Sequence, residues 1–226
     1  MATFDFDYTD FPKYKELIST QEHVHDSDFS PIILENVLDQ ADIDHILKQI
    51  DDYPLEKIKV QKWGGQGVYQ AIKPEPHITE KLTKLMSDAI GEPMFLREFS
   101  VVKYSAQFNY LVKLFPHYDT RPVDMFIMDV QLKTNEDWGL IVEGKQFNLK
   151  DNQALIFSGT NQMHWREKKV LPAGTDINML FAWFTHIPER PQSRSHDRVM
   201  REREGMLMNE ANIFSDNVDL RTSNEE

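Results

Sequence analysis

The sequence predicts a mostly β protein with flanking helices, an α+β chain whose centre is a closed β core. From Phe95 onward, apolar residues alternate with polar ones in eight short segments, which Gly, Asn, Asp or Pro residues separate. Two segments ahead of Phe95 instead carry apolar residues at helical spacing. Because closure removes the exposed edges of a sheet, so many short strands in succession favour a closed core.

Each element has its own signal in the chain. Pro31 to Leu34 is predicted as an opening strand, and the segment from Leu38 to Ile50 as a helix behind Asp39, a possible N-cap. A second helix is expected to follow Pro76 and to end at Gly91. Lys57 to Ile72 alternates weakly around three glycines, which indicates a hairpin or a mobile flap. The eight core strands are predicted at 95–104, 108–117, 124–133, 138–142, 146–149, 153–158, 163–170 and 177–187.

The chain of 226 residues suits one domain with appendages. Residues 1–29 lack periodicity and are interpreted as an N-terminal arm, and residues 30–188 as the β domain. Residues 189–226 are interpreted as a polar C-terminal tail, in which a short helix is expected from Asp197 to Met208. Composition gives no indication of the oligomeric state.

Composition excludes several function classes. The absence of cysteine rules out disulfides, thiolate metal sites and cysteine nucleophiles, so a metal must bind through His, Asp or Glu. A net charge of −12 disfavours a nucleic-acid partner, because phosphate neutralisation supplies most non-specific affinity. The first ten residues do not resemble a signal peptide and no apolar run is long enough to cross a bilayer, so we expect a cytoplasmic protein.

The chemistry-bearing pattern is His117-Tyr118-Asp119 followed by His164. His117 and Asp119 lie two residues apart, so a strand would direct them to the same face, and an antiparallel partner strand would bring His164 alongside. Two imidazoles and one carboxylate on one face of a metal form the ligand set of non-haem Fe(II) oxygenases. The alternative is that both histidines pack structurally and that Asp119 caps a turn beside Pro122.

Several longer stretches accompany this pattern. They are Pro31-Ile-Ile-Leu-Glu-Asn-Val-Leu38, Phe99-Ser-Val-Val-Lys-Tyr104, Phe126-Ile-Met-Asp-Val-Gln-Leu-Lys133, Glu136-Asp-Trp-Gly139, Asn152-Gln-Ala-Leu-Ile-Phe157 and the strand from Gly174 to Phe184. With them, residues 31 to 187 resemble the prolyl 4-hydroxylase-like branch of the Fe(II)/2-oxoglutarate-dependent dioxygenases. The usual double glycine of that family is reduced here to Gly139.

The resemblance implies a double-stranded β-helix, a jelly-roll or cupin-like core. It also implies Fe(II) held by His117, Asp119 and His164, with 2-oxoglutarate as co-substrate and molecular oxygen as oxidant. The expected reaction is hydroxylation of a small molecule or peptide that the sequence does not identify, with succinate and CO2 as co-products.

One departure from the family concerns the distal carboxylate of 2-oxoglutarate. The family places an Arg or Lys on the last core strand, where this chain has Ile177. Arg166 lies two residues after His164 and could point into the same interior, although it could equally be a solvated member of a charged run. Lys113 and Lys133 are weaker candidates. Tyr104, Gln131 and Asn178 are candidates for hydrogen bonds to the co-substrate, with core packing as the alternative.

Substrate contacts are expected from the flap and from the open mouth of the barrel, which suggests Trp63, Tyr69 and Arg121. The alternatives are aromatic anchoring of the loop for the first two and a surface ion pair for Arg121. Trp165 and Trp183 are expected to face away from the metal or to pack in the core.

Two further hypotheses remain open. The missing cation on the last strand suits an iron oxygenase that does not use 2-oxoglutarate and whose substrate itself chelates the metal. A non-catalytic β-barrel that binds a partner through the arm and tail is the other, although an intact ligand triad argues against it.

Overall fold

The computed structural model describes residues 29–61, 66–108, 111–117, 119 and 125–186, and for residues 61 and 115–117 it describes the backbone alone. The predicted arm apart from Phe29, the tail with its expected helix, Trp63 and Arg121 lie outside the described residues. The proposed domain boundaries at 29 and 188 are therefore still predictions.

Eleven strands and two α-helices make up the described chain. In order they are β1 (Ile32–Glu35), α1 (Gln40–Asp51), a 3-10 turn (Leu55–Lys57), β2 (Lys59–Gln61), β3 (Gln66–Val68), α2 (Pro76–Ile90), β4 (Phe95–Ser105), β5 (Leu111–His117), β6 (Phe126–Thr134), β7 (Leu140–Val142), β8 (Lys145–Phe147), β9 (Gln153–Ser158), β10 (His164–Val170) and β11 (Asp176–Thr185). Each predicted core strand overlaps an observed one. The largest difference is at β5, which begins at residue 111 instead of 108.

Both helices form where the sequence predicts them. In α1 the buried residues Ile43, Ile46 and Ile50 share one face. Asp39 has the extended backbone of an N-cap, but its side chain makes no cap hydrogen bond, so it caps through backbone geometry alone. Proline begins α2, and Gly91 ends it with a φ of 81°, a left-handed conformation that glycine adopts without a steric cost.

Two sheets form the core. The larger has the order β1-β9-β6-β11-β4-β3-β2, and the smaller has the order β5-β10-β7-β8. From β4 to β11 successive strands alternate between the two sheets. The one exception is β7 and β8, which form a hairpin within the smaller sheet. All the pairings are antiparallel. This is the double-stranded β-helix that the sequence predicts.

The two faces of β11 belong to two different layers. Leu180, Ala182 and Phe184 join the buried cluster that includes the helices. Ile177 and Met179 belong instead to a cluster with Val112 of the smaller sheet. Because side chains alternate along a strand, the odd-numbered residues of β11 line the space between the sheets, where the candidate site lies.

The flap region is a hairpin, as predicted, in which β2 pairs with β3 and β3 continues onto β4. The segment between β1 and α1 is also attached to the core, since the side chain of Asn152 bonds both the backbone N–H and the carbonyl of Leu38 at 2.8 and 2.9 Å.

In the described part of the chain, neither helix has the length and apolar character needed to cross a membrane.

Candidate metal centre and its surroundings

The strand register brings the two predicted histidine ligands together. His117 is the last residue of β5 and His164 is the first of β10, and the two are direct antiparallel partners. Residues directly opposite each other in antiparallel strands have Cα atoms about 4.5–5.5 Å apart and direct their side chains to the same face. The side chain of His117 lies outside the described atoms.

Asp119 is held beside His164. Its backbone N–H donates to the carbonyl of Gly159 at 2.8 Å, which fixes the chain where it leaves β5. Its Oδ1 lies 3.8 Å from Nε2 of His164, and the two side chains are only 16% and 4% exposed. Its Oδ2 accepts a hydrogen bond from the indole Nε1 of Trp183 at 2.8 Å.

The protonation of His164 follows from its neighbour. Nδ1 lies 3.0 Å from the carbonyl oxygen of Gln162, which can only accept, so Nδ1 carries the hydrogen. In this tautomer the nitrogen nearer Asp119 is Nε2, whose lone pair is the one that a metal ion would bind. Phe157 packs edge-on against the imidazole, with ring centroids 4.8 Å apart, and fixes the orientation of the ring.

This donor set fits an iron ion. A separation of 3.8 Å is too long for a direct hydrogen bond. Two ligands about 2.1 Å from a shared ion lie at most about 4.2 Å apart, so an ion fits between them. Among the side chains that the structure describes, no group of three His, Asp or Glu residues forms a metal site. The predicted third ligand is His117, whose backbone stands opposite His164.

Arg166 points into the barrel, so the solvated alternative is wrong. The residue is 4% exposed. Its Nη1 donates to the carbonyl oxygen of Trp138, its Nη2 lies 3.2 Å from Sδ of Met179, and its guanidinium lies over the rings of Trp138 and Tyr104. No carboxylate among the described residues forms an ion pair with it. The site therefore contains a buried cation whose described partners are all neutral.

Tyr104 stands beside this cation with its ring edge-on to Trp138, the centroids 4.9 Å apart. Burial raises the pKa of Tyr104 to about 12, while Arg166 lowers this pKa and the Asp129 carboxylate raises it further. The phenol is therefore protonated throughout the physiological range and has an O–H to donate.

The other candidates for co-substrate contact lie farther from the cation. Gln131 is buried, and its Nε2 donates to the backbone carbonyls of Lys133 and Asn178, where the β6–β11 register shifts. Alternation along β11 puts the side chain of Asn178 on the opposite face from Met179, so it is not brought to Arg166. Lys133 is exposed. Ile177, which stands where the family places a cation, is buried in the core.

Of the three substrate candidates, Tyr69 alone lies within the described residues. It is 2% exposed and packs edge-on against Tyr53, with the ring centroids 5.1 Å apart. Burial raises its pKa to about 12. This placement supports the alternative, in which Tyr69 anchors its loop to the body.

Trp183 was expected to face away from the metal or to pack in the core. It packs against the buried cluster that contains Ile127 and Leu155, and its indole N–H also bonds Asp119, a contact that neither expectation included. The strand period contained the signal, since Trp183 and Ile177 lie six residues apart on the same face of β11. Four other residues of the site were not predicted, because each acts through a backbone position or a long-range contact. They are Gly159, Gln162, Trp138 and Met179.

Comparison with solved structures identifies proteins of similar fold. The collagen prolyl hydroxylase of Paramecium bursaria chlorella virus-1, solved with 2-oxoglutarate, is 12% identical over 71% of this chain and 98% of its own, with a TM-score of 0.51. The α-ketoglutarate-dependent epimerase SnoN of nogalamycin biosynthesis is 11% identical over 77% and 83%, with a TM-score of 0.54. EctD from S. alaskensis, solved with 2-oxoglutarate and 5-hydroxyectoine, is 12% identical over 72% and 74%, with a TM-score of 0.53.

The chain therefore has the fold of the 2-oxoglutarate-dependent non-haem iron oxygenases. At the level of fold this includes a viral prolyl hydroxylase, which confirms the predicted resemblance. Neither a protein-family model nor a curated protein matches the sequence.

Proposed function

We propose that this protein is an Fe(II)- and 2-oxoglutarate-dependent oxygenase that hydroxylates a small molecule or peptide, with succinate and CO2 as co-products. His117, Asp119 and His164 are the proposed iron ligands. The observation that carries the proposal is the meeting of Asp119 Oδ1 and His164 Nε2 at 3.8 Å, beside the strand position of His117.

The chemistry of these groups supports ferrous iron. Two neutral imidazoles and one carboxylate give a ligand set of one negative charge that suits iron and leaves coordination positions for other molecules. With molecular oxygen as the oxidant, Fe(II) bound there would supply oxygen activation for the oxidation of a substrate C–H bond, and 2-oxoglutarate would supply two of the four electrons as it is converted to succinate and CO2. The chain has no cysteine with which to build another redox centre.

We further propose that Arg166 binds the distal carboxylate of 2-oxoglutarate in place of a cation on β11. A buried guanidinium with neutral partners is costly unless an anion compensates it. His164 and Arg166 lie two residues apart on one strand, which is a separation of about 6.6 Å. One end of 2-oxoglutarate could therefore lie beside His164 while its other end reaches Arg166. A five-carbon diacid is about 5 Å long between its terminal carbons, by standard bond lengths.

The remaining residues would shape the co-substrate pocket. Arg166 has five N–H donors, of which the described contacts use two, so it can still bind a carboxylate. Tyr104 would donate a hydrogen bond from its protonated phenol. Trp138 and Met179 would exclude water, which strengthens the attraction between the guanidinium and an anion.

The direct test is oxygen consumption and succinate formation by the purified protein with Fe(II) and 2-oxoglutarate, including turnover without a primary substrate. We expect both, and we expect H164A and D119A to abolish them together with iron binding. Tight iron binding in the wild type without any turnover of 2-oxoglutarate would reject the proposal.

A second candidate is an iron oxygenase whose substrate itself chelates the metal. The presence of Ile177 at the usual cation position, together with the existing contacts of Arg166, favours it. Anaerobic titration of the Fe(II) protein with 2-oxoglutarate separates the two, since chelation by the keto acid produces a visible charge-transfer band. The absence of that band at millimolar 2-oxoglutarate would favour the second candidate.

A further inference from the structure

Two groups that the iron chemistry does not require enclose the carboxylate of Asp119. Trp183 Nε1 donates to its Oδ2 at 2.8 Å. On another side lies Gly159, whose carbonyl accepts from the Asp119 backbone N–H. A Cβ atom at Gly159 would stand 2.9 Å from the same Oδ2 and would also collide with the side chain of Ile127.

We propose that Trp183 and Gly159 together hold Oδ2 of Asp119 in place, so that Asp119 binds the metal through one oxygen. Trp183 is then a positioning residue, and the site that the two residues form around Oδ2 is called the seat. This inference rests on the proposed function, because it concerns how the chain presents a ligand to the metal. Oδ2 is held by the indole N–H in the space that the missing Gly159 side chain leaves open, and Oδ1 lies 3.8 Å from Nε2 of His164.

The seat has a chemical consequence. A carboxylate can bind a metal through one oxygen or both, and binding through both takes a coordination position that another molecule would need. A hydrogen bond from a neutral donor holds Oδ2 back without removing the negative charge. Partners of metal ligands generally affect metal affinity about 10- to 100-fold when removed.

The test compares two tryptophan variants in the full chain under anaerobic conditions. W183F removes the N–H donor and keeps an aromatic ring. W165F is the matched control, because Trp165 is also a tryptophan of a core strand, is itself buried, and donates its Nε1–H to Glu167 at 3.2 Å instead of to Asp119. Equilibrium dialysis with metal analysis gives the affinity for Co(II), and the visible spectrum of the Co(II)-saturated protein reports the coordination.

We expect W183F to weaken Co(II) binding about 10- to 100-fold and to change the Co(II) spectrum, and W165F to leave both as in the wild type. Equal effects of the two variants, or W183F binding within about twofold of the wild type with the same spectrum, would overturn the inference. If W183F does not fold, β-(3-benzothienyl)alanine at position 183 keeps the ring shape and replaces the N–H with sulfur, and the same outcomes apply.

The result separates this inference from the proposed function. A wild type that binds neither Co(II) nor Fe(II) overturns both. A wild type that binds metal but never consumes 2-oxoglutarate overturns the proposed function, while the affinity and spectrum of W183F still decide the role of Trp183.

Discussion

Replacing Arg166 with methionine separates a co-substrate clamp from a structural cation. The substitution keeps the length and apolar stem of the side chain and removes the buried charge. Removal of one partner of a buried, hydrogen-bonded charge pair costs about 2–5 kcal/mol. At about 1.4 kcal/mol per tenfold, the dissociation constant for 2-oxoglutarate should rise about 30- to 4,000-fold.

R166M should weaken 2-oxoglutarate binding without lowering the free energy of unfolding of the apo protein. Without co-substrate, the described partners of Arg166 are a carbonyl, a thioether and two aromatic rings. R166M leaves the Trp138 carbonyl without this donor, which costs about 1–3 kcal/mol. It also removes the desolvation penalty of a buried ion, which is several kcal/mol. The free energy of unfolding of the apo protein should therefore be unchanged or higher.

Calorimetric titration of the anaerobic Fe(II) protein with 2-oxoglutarate and urea unfolding of the apo protein measure the two quantities. K168M is the matched control, since it removes a cation from an exposed position of the same strand. R166K should recover part of the affinity, because it restores the charge without the planar fork. Unchanged affinity for 2-oxoglutarate together with a loss of more than about 3 kcal/mol of stability would refute the reasoning.

Three other predictions follow from single contacts. Y104F should raise the dissociation constant for 2-oxoglutarate about 2- to 12-fold, as expected for the loss of one hydrogen bond. The increase should be the same from pH 6 to 9, because burial raises the pKa of Tyr104 to about 12. A pH-dependent effect in that range would contradict this. The hydrogen bond to Asp42 raises the pKa of His77, so its stabilisation should be complete below the unfolded pKa of about 6.5 and lost as pH rises through the folded value. Urea unfolding of H77Q should accordingly show a smaller difference between pH 5.5 and 8.5 than the wild type, and an identical difference would contradict it. N152A should lower the free energy of unfolding by about 2–4 kcal/mol, because two hydrogen bonds to Leu38 are lost and alanine must adopt a left-handed backbone. N152G should recover only the part of this loss that comes from backbone strain. Full recovery in N152G would show that the hydrogen bonds contribute nothing.

The sequence predicts the fold well because its signals are local and periodic. Gly91 and Pro76 mark the ends of α2, and the two-residue alternation marks the strands. The side-by-side placement of His117 and His164 was also predictable, since it needs only two antiparallel strands. These features depend on which face a residue occupies, and sequence spacing fixes the face.

The contacts of the site were less predictable because they depend on distances between segments far apart in the chain. The spacing of Arg166 to His164 allowed an interior direction but left the solvated one equally open, and its contact with the Trp138 carbonyl could not be predicted. The bond between Trp183 and Asp119 joins residues 64 positions apart. The burial of Tyr69 required knowledge of how its loop packs on Tyr53.

Gln162 connects the beginning of the described chain to the candidate metal site. Its side chain is fully buried, and Nε2 donates to the carbonyl of Phe29 and to Glu143, while Oε1 accepts from the Ser158 N–H. The backbone carbonyl of the same residue orients His164. A truncation or fusion that displaces Phe29 should therefore alter the orientation of an imidazole 135 residues later, because Gln162 contacts Phe29 through its side chain and His164 through its backbone carbonyl.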